Sequence, residues 1–460
     1  MTRRMHPAGI AVLGLRALRE AAVPAAVGLA ATVGGSGMDS RTLWRALAFA
    51  AVASLLAVLV GFVAWRTASY SVTGTAITAR RGLLSVKETV VPLERVQAVD
   101  TVQGPLQRLF GVTAVHVQAA GGAREGEIVL EALSAQAVAE LREAVGSRAD
   151  PRAEPDATWR LSTGRLLMTA ATAGQLGVIL PVLAGTSQGL DDLLGTTVRA
   201  SDLVPDAPGE VVLAAVVLLA SAWLLSIAGA IVAFSGFTAT RSGDQLHIRR
   251  GLFARREASV PLARVQAVTV LEGVLRQPFG LAALRVETAG YAAEAAAAQT
   301  LFPLLRRHEV ERFLAEMVPV SAGGLSEFER APSRARRRYA ALPTLLVAAP
   351  AIAIALLVDG ARAWPLCATL LGVAVGLAAH RAAGWRLDAT RVLVRSRRLA
   401  RRTVIVPRQR LQEHAVAQTI LQRRAGLASV SVAAGARTRA RVAHLDARVA
   451  RDLFERLALR

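Results

Sequence analysis

Five long runs without a charged residue occupy residues 46–65, 166–190, 211–240, 339–358 and 363–379. A helix needs about 20 residues to cross the hydrocarbon core of a bilayer, within a usual range of about 17–25. Four of the runs meet that length, and the last lies at its lower limit. Core helices of soluble proteins seldom extend so far without a charge, so the runs predict membrane spans.

A shorter apolar stretch over residues 21–35 predicts a sixth span, although Arg16, Arg19 and Glu20 precede it and Pro24 lies inside it. The alternative is an interfacial segment with Arg16 and Arg19 at the membrane surface. The stretch lacks the small-residue cleavage site of a removed signal peptide. Together the spans form three hairpins, each followed by a polar segment, so that all three polar segments lie on one side of the membrane.

A nine-residue phrase recurs in the polar segments. It reads "VPLERVQAV" at 91–99, "VPLARVQAV" at 260–268 and, in a diverged form, "VPRQRLQEH" at 406–414. Counted from its proline, an Arg follows at +3, a Gln at +5 and a Gly at +19, without a gap in any copy. Such agreement predicts three repeats of one fold. The repeat signature comprises Pro92, Gln97, Gly111, Pro261, Gln266, Gly280, Pro407, Gln412 and Gly426.

Each repeat is predicted to contain several short β-strands followed by one amphipathic helix. Ser134 is suited to cap such a helix, in which Val138, Leu141 and Val145 recur at helical spacing. The corresponding helices of the other repeats are predicted at residues 309–317 and 446–459. The pattern favours a small β-barrel or sheet that is closed by its C-terminal helix.

The predicted fold class is therefore a mixed membrane protein in which six transmembrane helices, in three hairpins, alternate with three β-rich domains. Residues 1–66, 151–235 and 321–382 contain the hairpins, the first with an N-terminal segment and the third with a linker. Domains 1, 2 and 3 are predicted at residues 67–150, 236–320 and 383–460.

The distribution of charge predicts the orientation. The chain carries a net charge of +21, and Arg330, Arg334 and residues 336–338, all arginine, stand just before the fifth run. The connection inside the second hairpin is acidic, with five carboxylates in residues 191–210 against Arg199. By the positive-inside rule, the three domains and both termini are predicted to lie in the cytoplasm, at the inner membrane.

The first two repeats resemble a known family. The stretches "RGLLSVKETVVPLERVQAV" at 81–99 and "RGLFARREASVPLARVQAV" at 250–268, each followed by an "FG" pair, are similar to bacterial pleckstrin-homology-like membrane proteins of the YdbS/YdbT type. The three-hairpin plan is similar to the longer, YdbT-like members. The resemblance implies a split barrel closed by a C-terminal helix, and it implies no reaction. The third repeat departs from the pattern with Arg408, Ala425 and the loss of "RGL".

No catalytic motif stands out. The sequence has no GxxxxGK[ST], HExxH or CxxC pattern, and its seven His are scattered without ligand spacing. The sole cysteine, Cys367, falls within a predicted span and leaves no partner for an intramolecular disulfide. We predict a protein without enzymatic activity, metal or cofactor.

Arginines in comparable places of the repeats are the candidate contacts to anionic lipid or to a partner protein. Near an anionic membrane, each Lys or Arg contributes roughly 1 kcal/mol, and the guanidinium donates two hydrogen bonds to a phosphate. The candidates are Arg95, Arg264, Arg410, Arg108, Arg276 and Arg423. The simpler interpretation is that these arginines only set the topology and keep the domains soluble.

The predicted function is that of an integral membrane scaffold or interaction protein whose cytoplasmic domains bind anionic lipid head groups or a protein partner. Two alternatives stay open. A transporter of lipids or small molecules needs a polar path, which the uncharged runs do not supply. A membrane-anchored nucleic-acid-binding protein would use the arginines of domain 3, but aromatic residues make up only 4% of the chain and leave few rings to stack on bases.

Overall fold

The computed structural model describes residues 2–18, 40–82, 86–119, 127–145, 155–172, 208–288, 300–357, 364–435 and 438–458. The chain divides into two compact units. The first contains Met1–Ala153, Arg160–Thr238 and His247–Ser259, and the second contains Glu154–Trp159, Ala239–Leu246 and Val260–Arg460.

The helices of these residues include long apolar segments and short amphipathic ones. They are α1 (Gly9–Leu18), α2 (Ser40–Thr67), α3 (Pro105–Leu109), α4 (Ala135–Ala144), α5 (Thr163–Thr172), α6 (Pro208–Phe234), α7 (Val310–Met317), α8 (Arg336–Leu357), α9 (Trp364–Ala382), α10 (Ile420–Arg424) and α11 (Ala447–Ala458).

The strands are short and recur in the same order in the three repeats. They are β1 (Thr2–Arg4), β2 (Ser69–Val72), β3 (Ala76–Arg81), β4 (Lys87–Pro92), β5 (Val96–Gln103), β6 (Val112–Ala119), β7 (Glu127–Ser134), β8 (Ala157–Arg160), β9 (Thr238–Ser242), β10 (Gln245–Arg250), β11 (Arg255–Pro261), β12 (Val265–Glu272), β13 (Leu281–Thr288), β14 (Thr300–Arg306), β15 (Glu329–Arg330), β16 (Gly384–Leu387), β17 (Arg391–Arg397), β18 (Arg401–Pro407), β19 (Glu413–Ala417), β20 (Leu427–Ala434) and β21 (Thr438–Asp446).

Three helices of the described residues are long and apolar enough to cross a membrane: Ala48–Thr67, Ser333–Leu356 and Pro365–Ala382. α6 covers the third predicted run, but it ends at Phe234, and β9 begins at Thr238. After the helix, Gly236 takes a positive φ of 63° and turns the chain into the sheet. The weak span at 21–35 and most of the run at 166–190 lie outside the described residues, as does the acidic connection.

α8 and α9 form a close helical hairpin, and Gly372 and Gly376 lie at their contact. A Cβ at Gly372 would lie 2.4 Å from the Cα of Thr344, and one at Gly376 would lie 2.3 Å from the Cα of Ala340. Only glycine lets the two backbones approach so closely. The two glycines are thus a packing feature of this hairpin.

Domain 1 lies in the first unit and surrounds one core. The sheet of order β1-β2-β3-β4 and the strands β5, β6 and β7 contribute buried residues such as Ile77, Val91 and Val115. α4 adds Val138 and Leu141, and the Oγ of Ser134 accepts a hydrogen bond from the N–H of Ala137 at 3.3 Å. The prediction of short strands closed by a capped helix is confirmed here.

Domain 3 lies in the second unit and has the same plan. Strands β16 to β18 and the sheet β19-β20-β21 pack around Trp385, Val404 and Val432, and α11 inserts Leu453 and Leu457. The first half of this domain also belongs to a larger sheet, of order β14-β13-β12-β18-β17-β16-β15. This sheet joins the second half of domain 2 to the first half of domain 3.

The repeated phrase forms the turn between the two halves of each domain. Pro92, Pro261 and Pro407, with φ between −57° and −63°, each precede one 3₁₀ turn, and the Arg at +3 ends that turn. The turn interrupts the strand, so Val91 and Val96 are buried while Arg95 is exposed. Alternation along one continuous strand would have placed Val91 and Arg95 on the same face, and the turn removes that conflict.

The Gly at +19 lies in a second turn, further along the chain, and has the same backbone conformation in all three copies. Gly111, Gly280 and Gly426 have φ of 64°, 60° and 63°, in the left-handed region that favours glycine. The phrase is therefore a folding signature. Nothing in its geometry resembles an active site.

Candidate functional site

The "RGL" phrase of domain 2 lies against the end of the apolar helix α6. The N–H of Gly251 donates to the carbonyl of Ser235 at 2.9 Å, and the N–H of Leu252 donates to the carbonyl of Val232 at 3.0 Å. Gly251 has φ 106°, a conformation that other residues rarely adopt. The turn thus satisfies carbonyls that the helix end leaves without intrahelical partners.

Arg250 of the same phrase is a structural residue. Its side chain is buried, and its guanidinium lies 5.7 Å from the centroid of the Phe234 ring. Burial, with a smaller contribution from Arg256, lowers the pKa of Arg250 to about 10. The "RGL" phrase therefore fixes the end of β10 to the C-terminal end of α6.

Exposed apolar side chains surround this turn in the first unit. Leu252 and Phe253 are exposed at the turn itself. The neighbouring α3 of domain 1 ends in Leu109, which is 76% exposed, and Phe110. Arg108 of α3 holds the two together, because its Nη1 donates to the carbonyl of Leu252 at 3.1 Å. An apolar surface with an adjacent guanidinium thus lies beside the C-terminal end of the apolar helix α6.

A comparable surface occurs in the second unit. Gln277 of domain 2 donates through Nε2 to the carbonyl of Leu399 at 3.1 Å, and Leu399 lies in the turn between β17 and β18. Arg395 on β17 donates to the carbonyl of Ala382, the last residue of the apolar helix α9, at 3.2 Å. Exposed apolar residues of these tips are Val274, Leu275, Phe279, Leu399, Ile420 and Leu421.

A cleft of about 760 Å³ opens in domain 1 between the helices α1 and α2 and the strand β3. One wall is apolar and is formed by the C-terminal half of α2, with Leu59, Val60 and Val63. At its polar end lie the side chains Arg16, Arg80, Arg81, Lys87 and Glu131. Four cations and one carboxylate therefore line a cleft that follows a candidate membrane span.

One of the four cations is already paired. Arg16 Nη1 lies 2.6 Å from Glu131 Oε1. Arg80, Arg81 and Lys87 are exposed, and none of the three forms an ion pair with the residues the structure describes. The lining of the cleft thus includes three positive charges that no described carboxylate neutralises, which suits a phosphate.

The equivalent arginines of the other domains have protein partners. Arg80, Arg249 and Arg395 each lie 12 residues before the signature proline. Arg249 pairs with Glu257 at 3.1 Å, and Arg395 lies 3.9 Å from the centroid of the Phe328 ring. Burial and nearby arginines, of which Arg401 is the foremost, lower the pKa of Arg395 to about 10. Among the described residues, Arg80 of domain 1 is thus the arginine at this position that has neither an ion pair nor a ring contact.

The six arginines predicted from the repeats do not form one site. Arg95 and Arg423 are exposed on the surface, and Arg108 reaches the carbonyl of Leu252. Arg264 is half-buried, and Arg410 donates to the carbonyl of Ala263 beside it. These two signature turns of domains 2 and 3 are therefore in contact.

Arg276 differs from the other five because it is buried. Its Nη1 donates to the carbonyl of Pro303 at 3.2 Å. Burial, with a smaller contribution from Arg285, lowers its pKa to about 10. Its guanidinium thus stabilises the sheet of domain 2 through a hydrogen bond to β14.

Arg80, Arg81 and Lys87 were not among the arginines and lysines that the sequence predicted as contacts, whereas Arg16 was expected at the membrane surface. Arg81 belongs to the "RGL" phrase, which was recognised as a repeat, while Arg80 and Lys87 flank it. The signal was present as "ARRGLLSVKE", three cations around a turn that follows a span. Among the described residues, no group of three or more His, Cys, Asp or Glu is placed to hold a metal ion.

Comparison with known proteins identifies the repeats. A family model described as "Bacterial PH domain" matches three times, at residues 22–149, 178–318 and 340–460. The chain belongs to this family. It is also 25% identical to the "UPF0699 transmembrane protein YdbT" of Bacillus subtilis (strain 168) over 427 residues, which is 86% of this chain and 85% of that protein. No solved structure matches.

These matches confirm the resemblance that the sequence motifs suggested, including the YdbT-like plan of three repeats. The chain is a membrane-associated protein of the bacterial PH domain family, of the YdbT type. Its apolar helices agree with the transmembrane description of that relative.

Proposed function

We propose that this protein is a non-enzymatic scaffold of the inner membrane whose PH-like domains face the cytoplasm and bind anionic phospholipid head groups. The observation that carries the proposal is the cleft of domain 1. Its apolar wall belongs to a candidate span, and Arg80, Arg81 and Lys87 lie unpaired at its polar end. This arrangement fits one phospholipid, with an acyl chain along α2 and the phosphate among the cations.

The energetics favour an anionic lipid over a zwitterionic one. Each cation near an anionic surface contributes roughly 1 kcal/mol, so three give an upper limit of about 3 kcal/mol. The apolar wall adds a term of about 25 cal/mol for every Å² that a lipid chain covers. Lipid chains are available to the wall in any membrane, so the cations determine the preference among head groups.

The exposed apolar tips support the same role. Leu109 and Phe253 are exposed and lie near the C-terminal end of the apolar helix α6. Apolar side chains with flanking cations are typical of segments that lie in the interface. Arg108, Arg95 and Arg423 remain predicted contacts to head groups.

The test compares the wild type with the variant Arg80→Gln, Arg81→Gln, Lys87→Gln in the full-length protein. Native mass spectrometry counts the phosphatidylglycerol and phosphatidylcholine molecules that each protein retains after release from detergent. The control is Arg424→Gln, Arg448→Gln, Arg451→Gln, which removes the same charge from exposed positions of domain 3.

We expect the wild type and the control to retain phosphatidylglycerol, and the cleft variant to bind it at least tenfold more weakly. Retention of phosphatidylcholine should be unchanged in all three. Equal loss of phosphatidylglycerol in the cleft variant and the control would reduce the effect to net charge and would contradict the proposal.

A further inference from the structure

Neighbouring domains are joined by the same strand pairing at two places. In the first unit, β11 pairs antiparallel with β5, and Arg255, Arg256 and Glu257 lie opposite Gln103, Val102 and Thr101. In the second unit, β18 pairs antiparallel with β12. There Arg401, Arg402, Thr403, Val404 and Ile405 lie opposite Glu272, Leu271, Val270, Thr269 and Val268.

Both junctions have one register. Arg255 and Arg401 lie six residues before their signature prolines, and Gln103 and Glu272 lie eleven residues after the proline of the preceding domain. Position −6 therefore faces position +11 in both, and −4 faces +9. A register shared by two junctions with different side chains indicates that the pairing is a property of the repeat.

Two edges of the same kind are left over among the described strands. β4 of domain 1 corresponds to β11 and β18, but it pairs only with β3. β19 of domain 3 corresponds to β5 and β12, but it pairs only with β20. Each edge therefore presents a row of backbone N–H and C=O groups with no neighbouring strand, which favours pairing with another chain.

The side chains of β4 resemble those of a covered strand. Val90 lies two residues before its proline and is 55% exposed, whereas Ile405 at the same position of domain 3 is 0% exposed because its junction covers it. Lys87 and Glu88 do not distinguish the edge, since Arg256 and Glu257 occupy the same positions in a strand that is paired.

The edge of β19 carries a pair of aromatic rings. The His414 ring lies 4.8 Å from that of Phe454, counted between centroids. Phe454 is the eighth residue of α11, and Arg142 is the eighth residue of the equivalent helix α4 in domain 1. Arg142 contacts Thr101 at the first junction, so Phe454 lies where a pairing strand would cover it.

We propose that β4 of one molecule pairs antiparallel with β19 of a second copy of this chain. The shared register places Val86 opposite Gln418, Glu88 opposite Val416 and Val90 opposite His414. The two edges differ, so the contact is heterologous and continues from copy to copy. If all domains lie on one side of the membrane, the product is a ring or a row in the membrane plane.

Disulfide trapping in the full-length protein tests the register. In a Cys367→Ser background, Glu88→Cys and Val416→Cys are placed on separate, differently tagged chains and expressed together. Directly opposite residues of an antiparallel pair have Cβ atoms about 4.5–5.5 Å apart, close enough to trap a disulfide. The control combines Glu88→Cys with Ala415→Cys, which a one-residue shift places on the other face of the strand.

We expect a disulfide-linked dimer that contains both tags, at a yield at least fivefold above that of the control. Three results would overturn the proposal: no mixed dimer, equal yields with the control, or a disulfide that forms only within one chain when both cysteines are on it. Dimers of Glu88→Cys with itself would equally rule out the heterologous contact.

A second variant tests the edge without cysteines. Val90→Lys adds a charge at an exposed position, and Val449→Lys does the same on α11. Mass photometry in nanodiscs should show assemblies of more than one copy for the wild type and Val449→Lys, and single copies for Val90→Lys. A wild type that is monomeric, or a Val90→Lys variant that assembles normally, would contradict the proposal.

Discussion

The ion pair between Glu272 and Arg401 crosses the junction of domains 2 and 3. Glu272 Oε1 accepts from Arg401 Nε at 2.8 Å, and the two residues lie directly opposite each other in β12 and β18. The side chain of Glu272 is only 5% exposed and that of Arg401 is 20% exposed. The substitution Glu272→Ala therefore leaves a guanidinium largely excluded from water without its carboxylate.

Removal of one partner from a buried ion pair costs about 3–5 kcal/mol. Because Arg401 keeps some contact with water, we expect the lower end, about 3 kcal/mol, which corresponds to a factor on the order of 100 in the opening equilibrium. The pair Arg439–Glu413 is exposed on both sides, so Glu413→Ala should cost less than about 1 kcal/mol.

Hydrogen–deuterium exchange of the full-length protein measures these openings strand by strand. In Glu272→Ala, amides of β12 and β18 should exchange on the order of 100-fold faster, while those of the domain 1 strands β5 and β6 keep their rates. Glu413→Ala should change exchange in β19 and β20 by less than about fivefold. A change below about fivefold in β12 and β18 for Glu272→Ala would refute the reasoning.

Two further changes test other parts of the fold. Gly251→Ala places a Cβ 2.0 Å from the carbonyl oxygen of Ala254, in a residue with φ 106°. We expect the free energy of unfolding to fall by about 2–3 kcal/mol and the amide hydrogens at the end of α6 to exchange faster. The control Gly74→Ala, where nothing lies within 4 Å of the new Cβ, should have little effect on stability. Burial, and secondarily nearby arginines, lower the pKa of His444, so the unfolded chain takes up the proton first as pH falls through about 6.5. Thermal stability should fall as pH is lowered from 7 to 5, and His444→Asn, which tolerates the φ of 57° at this position, should reduce that dependence.

Local features of the fold were predictable from the sequence because they depend on residues close together in the chain. The phrase with Pro92 and Gly111 fixes a turn by its own φ preferences. Ser134 caps its helix through a neighbour three residues away. The apolar runs at 46–65 and 363–379 overlap the candidate spans Ala48–Thr67 and Pro365–Ala382, because length and the lack of charge suffice to predict a span.

The junctions between domains were not predictable from the sequence. Gln103 and Arg255 are 152 residues apart, and no local pattern shows that β5 pairs with β11. The prediction of separate small barrels followed from treating each repeat alone. The edges of strands have no signature in side chains, since backbone groups make the bonds.

The fate of each arginine depends on its surroundings. Arg108 and Arg276 occur in comparable places of two repeats, yet one is exposed and the other is buried against the carbonyl of Pro303. Likewise Arg80 and Arg249 share a position, and only Arg249 meets a carboxylate, Glu257. Residue type alone did not distinguish the arginines that stabilise the fold from the exposed arginines that have no ion pair among the described residues.

The central claim is that an anionic phospholipid occupies the cleft of domain 1, and a photoreactive lipid tests it most directly. Phosphatidylglycerol with a diazirine in its acyl chain is incorporated with the full-length protein and irradiated, and the modified peptides are identified by mass spectrometry. We predict adducts on residues 59–64 of α2 and on Leu13 of α1, with competition by unlabelled phosphatidylglycerol but not by phosphatidylcholine. Adducts that avoid these residues, or that are equally frequent after Arg80→Gln, Arg81→Gln, Lys87→Gln, would contradict the account.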